Sequence, residues 1–178
     1  MAIRKASSYS HRIARPFTRK SRSKTKAYIK VTPFSKIVKF RMGDQKSYMG
    51  NKHHYLVSMV SKEKVQVRDN ALESGRMHLH KIMEDNCPGL YFVAVKVFPH
   101  HFLRENKTAA GAGADRVSTG MTQSYGIVIG RAAIVSPGKE IFIISCADEK
   151  TARVARDALN TIKTKIPAKT DIIFQKVN

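Results

Sequence analysis

Apolar positions change their rhythm along the chain, and each rhythm predicts an element. From Met1 to Lys30 neither a period of 2 nor one of 3.6 holds, so this stretch has no face to bury. Ile29 to Phe40 carries Val31, Phe34, Ile37, Val38 and Phe40 around Pro33, which lacks a ladder donor; an edge strand or irregular β entry is expected. Gly43-Asp44 and Gly50-Asn51 mark turns, and Tyr55-Leu56-Val57-Ser58-Met59-Val60 reads as a buried strand. Between about Arg68 and Asp85 a helix is predicted. Ala71, Leu72, Gly75, Leu79, Ile82 and Met83 share its apolar face, opposite Arg68, Glu73, Arg76, His80 and Glu84. Asn86-Cys87-Pro88-Gly89 ends it, because proline cannot continue the ladder, and Leu90 to Phe98 follows as a strand.

In the C-terminal half, Ile127-Val128-Ile129 and Ala132 to Val135 precede Ser136-Pro137-Gly138-Lys139, and Ile141-Phe142-Ile143-Ile144 follows it, a pattern that predicts a hairpin. Asp148 is the expected N-cap of a second helix to about Lys165, burying Ala152, Ala155, Ala158, Leu159 and Ile162. Pro167 stops it, and Asp171 to Val177 forms a last strand. This order predicts an α+β fold with two helices covering one face of a mostly antiparallel sheet. Residues 31–178 make a single domain behind a basic extension, residues 1–30, and a long loop at about 107–125 interrupts the domain.

Charge changes the picture. The 33 Lys and Arg outnumber 13 Asp and Glu, for a net of +20, and residues 1–52 hold 15 of the cations against Asp44 alone. The excess would make a compact chain repel itself unless something negative neutralised it. In the first thirty residues Arg4, Lys5, Arg12, Arg15, Arg19, Lys20, Arg22, Lys24, Lys26 and Lys30 face no acid, and Tyr9, Phe17 and Tyr28 interleave with them. Arginine forks suit phosphate and aromatic rings stack on unpaired bases, so nucleic acid is the expected partner. A membrane surface would need a continuous apolar face, which Ser7 to Lys26 lacks. No apolar leader follows Met1 to Lys5, and an organellar leader fits poorly because the basic bias continues to Lys52. The longest uncharged stretch, Val117 to Gly130, is too short to span a bilayer. Cys87 and Cys146 have neither a disulfide framework nor metal-ligand spacing, so a reducing intracellular setting is expected.

Catalytic chemistry finds little support. His53-His54 and His100-His101 are adjacent pairs and His78 and His80 are two apart, so none has the i, i+4 spacing of a helical zinc site. Serine and cysteine nucleophile motifs are missing. The loop Thr108 to Met121 is rich in Gly and Ala, but no Gly-Lys-Ser/Thr follows and no dinucleotide fingerprint is present. On the residues alone, an architectural nucleic-acid binder and a nucleotide-dependent enzyme using the Gly-rich loop both remain.

The loop itself separates them. Gly113-Ala114-Asp115-Arg116-Val117-Ser118-Thr119-Gly120-Met121 resembles the Gly-Ala-Asp-Arg-x-x-Thr-Gly-Met signature of the L-ten-e family of large-subunit ribosomal proteins, homologous to bacterial L-sixteen. Pro99, His101, Arg104, Asn106 and Lys107 match the stretch ahead of it. Arg15-Pro16-Phe17-Thr18-Arg19-Lys20-Ser21-Arg22 and Lys36-Ile37-Val38-Lys39-Phe40, followed by Gly43, match as well. The start Arg4-Lys5-Ala6-Ser7-Ser8-Tyr9-Ser10 differs from the eukaryotic pattern and favours an archaeal member; Phe98 stands where relatives often carry His. The resemblance implies an α/β-hammerhead type of fold, no enzyme activity, no cofactor and no metal, and a cytoplasmic place in the large subunit. The implied partners are 23S-type rRNA, 5S rRNA, A-site and P-site tRNA and neighbouring ribosomal proteins. Expected rRNA contacts are the ten cations of the extension with Lys36, Lys39, Arg41, Lys52, His100, His101, Arg104 and Lys107. Gly111, Gly113, Ala114, Asp115, Arg116, Thr119, Gly120 and Met121 form the loop implied to face the peptidyl-transferase centre and tRNA.

Overall fold

The computed structural model describes residues 4–11, 29, 31–105, 111–113, 116 and 126–177. In these residues β1 (Arg41–Gly43) leads through α1 (Gln45–Met49) to β2 (Tyr55–Ser61) and β3 (Val65–Arg68). Then come α2 (Asp69–Asn86), β4 (Tyr91–Val95), β5 (His101–Glu105), β6 (Ile127–Val135), β7 (Glu140–Cys146), α3 (Glu149–Ile162), a 3-10 turn at Lys163–Lys165 and β8 (Thr170–Lys176). Every strand pair is antiparallel, and the fold is α+β.

The strands form two sheets, not the one expected. A five-stranded sheet runs β1-β4-β7-β2-β8 and a three-stranded sheet runs β3-β6-β5. The expected hairpin is therefore a crossing: β6 pairs with β3 and β5, whereas β7 pairs with β2 and β4. The reason is burial. Every residue from Ile141 to Cys146 is buried, so β7 needs neighbours on both edges. The Pro137-Gly138 turn is instead tied to the end of β2, where Gly138 N donates to Ser61 O at 2.8 Å and Ser61 N to Lys139 O at 3.0 Å.

Alternation sorts the faces of the larger sheet. Val57, Met59, Tyr91, Val93, Phe142 and Ile144 point into one core against Leu72, Leu79 and Met83 of α2 and Ala155, Leu159 and Ile162 of α3. Full burial of each such aliphatic side chain contributes roughly 1.5–3 kcal/mol. Helix α3 buries all five positions its periodicity predicts. Helix α2 departs from its predicted pattern at Arg76. Placed by periodicity on the polar face, it is only 8% exposed, because Glu73 accepts from its Nε at 2.8 Å and Met42 Sδ lies 2.7 Å from Nη1. Ile29–Phe40 makes no strand among its described residues, so the irregular entry holds and only Arg41–Gly43 pairs, at the sheet edge.

Two glycines mark tight approaches. Gly43 sits at φ +85°, where a Cβ would fall 2.3 Å from the Tyr91 carbonyl oxygen. At Gly75 a Cβ would lie 3.0 Å from Phe142 Cζ and 3.3 Å from Ile162 Cγ2, so α2 meets the sheet and α3 at closest range here. Gly75→Val should lower stability by about 1–3 kcal/mol through overpacking, read as a shifted denaturant midpoint. Ser74→Ala, on the exposed side of the same turn, should stay within about 0.5 kcal/mol.

Candidate nucleic-acid interface

Residues 31–41 form a strap across the molecule, and the way it is held explains its surface. Arg131 of β6 donates from Nε to the Pro33 carbonyl at 2.6 Å while its guanidinium lies over the Phe102 ring. The Lys36 amide donates to Asp69 Oδ2 at 3.2 Å, and the Val38 amide donates to Glu73 Oε2 at 3.3 Å. Ile37 is buried between these anchors, and β1 then pairs with β4. Two carboxylates thus hold the strap by its backbone and leave its cationic side chains outside. Lys36, Lys39 and Arg41 are exposed, as is Lys52 just beyond. Among the described residues the ion pairs are Arg4–Glu105, Lys62–Asp171, Arg76–Glu73 and Arg153–Glu149, and none engages these four cations. Phe34 at 95% and Val31 at 83% exposure stand beside them. Cations flanking exposed apolar side chains suit phosphates flanking unstacked bases.

The remaining predicted residues divide sharply. Arg4 bonds Glu105 and donates to the Tyr9 hydroxyl at 2.6 Å, so its guanidinium is engaged within the chain; Lys5 is exposed. Residues 4–11 are also anchored where Gln66 N donates to Ser10 O at 2.9 Å, so the start of the basic segment already packs on the smaller sheet. His100 is exposed with its ring 4.6 Å from Phe98, whereas His101 is 5% exposed and Arg104 half-buried. The isolated chain therefore shields the His101 ring from solvent. Gly111, Gly113 and Arg116 are exposed, with φ of +108° and +79° at the two glycines and a bond from Arg116 N to Gly113 O at 3.1 Å. Arg12, Arg15, Arg19, Lys20, Arg22, Lys24, Lys26, Lys30, Lys107, Ala114, Asp115, Thr119, Gly120 and Met121 lie outside the described residues.

Sequence reasoning missed one lysine-lined cleft. Lys36 of the strap, Glu73, His78 and Lys81 of α2 and Lys165 of the 3-10 turn line a cleft of about 540 Å³, with Lys165 Nζ 3.2 Å from Ser74 Oγ. Lys81 and Lys165 are 84 positions apart, and only the packing of α2 on the end of α3 joins them; the signal in the sequence was their place on polar helix faces.

Reactive groups are quiet. Burial, with Cys87 nearby, pushes the Cys146 thiol up to about 12, which keeps it protonated. The Tyr91 hydroxyl, raised by burial and its bond to Glu84, donates to Glu84 Oε2 at 2.6 Å, so His80 Nδ1 at 2.8 Å donates to it. Among the described residues no three His, Cys, Asp or Glu side chains could hold a metal ion. None of their helices is long and apolar enough to cross a membrane.

Comparison with known proteins finds relatives over nearly the whole chain. The family model described as Ribosomal protein L16p/L10e matches residues 14–173. The large ribosomal subunit protein uL16 of Archaeoglobus fulgidus is 36% identical over 166 residues, 93% of this chain and 89% of its own. That of Methanococcus aeolicus is 37% identical over 177 residues, covering 99% and 96% of the two chains. That of Staphylothermus marinus is 37% identical over 176 residues, covering 98% and 95%.

The buried histidines set a pH dependence. Burial lowers His53 and His101 below the ordinary 6.5, the Arg104 charge adding to the effect at His101. The unfolded chain then binds more protons, so stability is complete above that value and falls as pH drops through and below it. A thermal midpoint that declines from pH 7.5 to 5, and declines less in His101→Gln, is expected in melts followed by circular dichroism.

Proposed function

The chain belongs to the ribosomal protein L16p/L10e family, in its archaeal L10e form, and on that footing we propose how it works within the large ribosomal subunit. It is a structural constituent of that subunit and not an enzyme. It binds 23S-type rRNA beside 5S rRNA, packs against neighbouring ribosomal proteins and flanks the A-site tRNA. Its loop at 107–121 is directed toward the peptidyl-transferase centre and the A-site and P-site tRNA ends. The two antiparallel sheets are read as the family's α/β-hammerhead arrangement, and residues 1–30 as an extension that threads between rRNA helices.

The observation that carries this reading is the strap. Its backbone is fixed by Asp69, Glu73 and Arg131, while Lys36, Lys39 and Arg41 stay exposed, with no ion-pair partner among the described residues. Holding cations rigidly apart from acids raises the free energy of the isolated chain and lowers it again when phosphates approach. The ten cations of residues 1–30 extend the same surface in sequence. A preorganised cationic strap spends little conformational entropy on binding, since its backbone is already fixed.

Each phosphate contact releases counterion, so rRNA affinity should fall with salt at a log–log slope of about −0.7 to −0.9 per contact. Replacing Lys36, Lys39 and Arg41 together by Gln should make that slope shallower by about 2–3 and weaken filter binding to large-subunit rRNA. An affinity flat in salt contradicts the reading. Deletion of residues 108–120 should leave incorporation into the subunit intact and slow tRNA-dependent steps in a reconstituted translation assay. Loss of rRNA binding on that deletion would mean that the loop anchors the protein.

A further inference from the structure

The larger sheet has a second face, turned away from α2 and α3, whose composition the core does not explain. Register places Arg41, Ala94, Ile143, Ser58 and Ile173 on one rung across all five strands. The neighbouring rung carries Gly43, Phe92, Ser145, Leu56 and Gln175. Ala94, Ile143 and Phe92 are buried yet stand apart from the main core cluster. The helix over this face, α1, has five residues and no buried side chain, and its Asp44 cap accepts from Ser47 N at 3.0 Å. From it Tyr48 stacks on Phe92, with ring centroids 4.3 Å apart and planes 15° from parallel.

Beside that pair opens a cleft of about 360 Å³. Ala94 and Ile143 make an apolar floor, and Tyr48 and Phe92 line one part of it. Phe40 lines another, itself stacked on Phe98 at 5.4 Å. Arg41 and Lys96 are both exposed and line it too, with Gln45 offering a donor and an acceptor. Among the described residues no acid lines the cleft. The strap is fixed there by Val95 N donating to Phe40 O at 2.8 Å, so the aromatic lining is rigid.

We propose that this cleft seats a single unstacked base of the large-subunit rRNA, its ring on the Tyr48–Phe92 and Phe40 surfaces and its flanking phosphates on Arg41 and Lys96. The inference rests on the rRNA-binding reading above and goes beyond it, since that reading needs phosphate contacts only. Charge selects the occupant. Two cations without an acid favour a polyanion, and a slot of aromatic rings over Ala94 favours a flat π-surface at van der Waals distance. A buried apolar segment of a neighbouring protein would gain nothing from Arg41 and Lys96.

The test compares the full chain and its Tyr48→Leu form on two probes, a single-stranded RNA octamer and an octamer of the same backbone with abasic sites. Stacking on an aromatic side chain predicts about a tenfold loss on the base-bearing octamer for Tyr48→Leu, with affinity for the abasic octamer unchanged. Ultraviolet irradiation of purified large subunits should join an rRNA nucleotide to the peptide containing residues 40–49. Equal affinities of Tyr48→Leu and the unchanged chain for the base-bearing octamer would overturn the proposal. So would Lys96 cross-linking to a ribosomal protein with no nucleotide adduct in that peptide. The unchanged chain binding large-subunit rRNA with a steep salt slope in the same experiments keeps the broader reading while the cleft fails. Loss of both would remove the two together.

Discussion

A net charge of +20 on 178 residues is the constraint around which this molecule is arranged. Like charges at such density push a compact chain apart, over distances set by a Debye length of about 8 Å at physiological salt. The fold meets this by keeping its centre neutral. Strand β7 is buried from Ile141 to Cys146, and α3 meets the core through Ala152, Ala155, Ala158, Leu159 and Ile162. The cations are gathered on the strap, the N-terminal segment and the helix faces that look outward. That separation leaves a self-repelling surface whose natural complement is a polyanion, and the subunit to which the family belongs is largely one.

The few acids are spent unusually. Asp69 and Glu73 bond strap amides, and Glu73 at the same time neutralises Arg76 inside the structure. A surface ion pair would cancel a strap cation for a gain of only about 0–1 kcal/mol. Fixing the backbone instead orders the cations without cancelling them. The cationic strap and the core are thereby coupled through α2. The helix that packs on Phe142 through Gly75 presents Glu73 and Asp69, two and six residues earlier, to the strap, and His78 and Lys81 to the neighbouring cleft.

How much of this was legible from the sequence depended on the range of the information. Helices α2 and α3 showed in their 3.6 period, and β2, β4, β7 and β8 in their apolar runs, because those signals are local. Strand β3 was missed because its alternation, Val65-Gln66-Val67-Arg68, is only four residues long and runs straight into α2; its polar Gln66 and Arg68 are nevertheless buried by tertiary packing, with the Gln66 backbone N–H bound to the Ser10 carbonyl. Strand β5 was hidden by His101, Arg104 and Glu105, read as a motif and not as a ladder. The pairing of β6 and β7 was misjudged because a turn such as Ser136–Lys139 fixes proximity but not which edge each strand seeks. Of the residues expected to contact rRNA, Lys36, Lys39, Arg41 and Lys52 are exposed, whereas His101 is buried. Its burial comes from strands far apart in sequence, and its neighbour His100 took the surface position instead.

The central claim, that unrelieved cationic repulsion strains the isolated chain, is tested most directly by the thermal midpoint of the purified protein in increasing KCl. Screening should raise that midpoint steadily between about 20 and 300 mM salt, as the Debye length falls from near 20 Å to about 6 Å. A midpoint that stays flat or declines over that range would contradict the account, since the cations would then carry no repulsion for RNA to relieve.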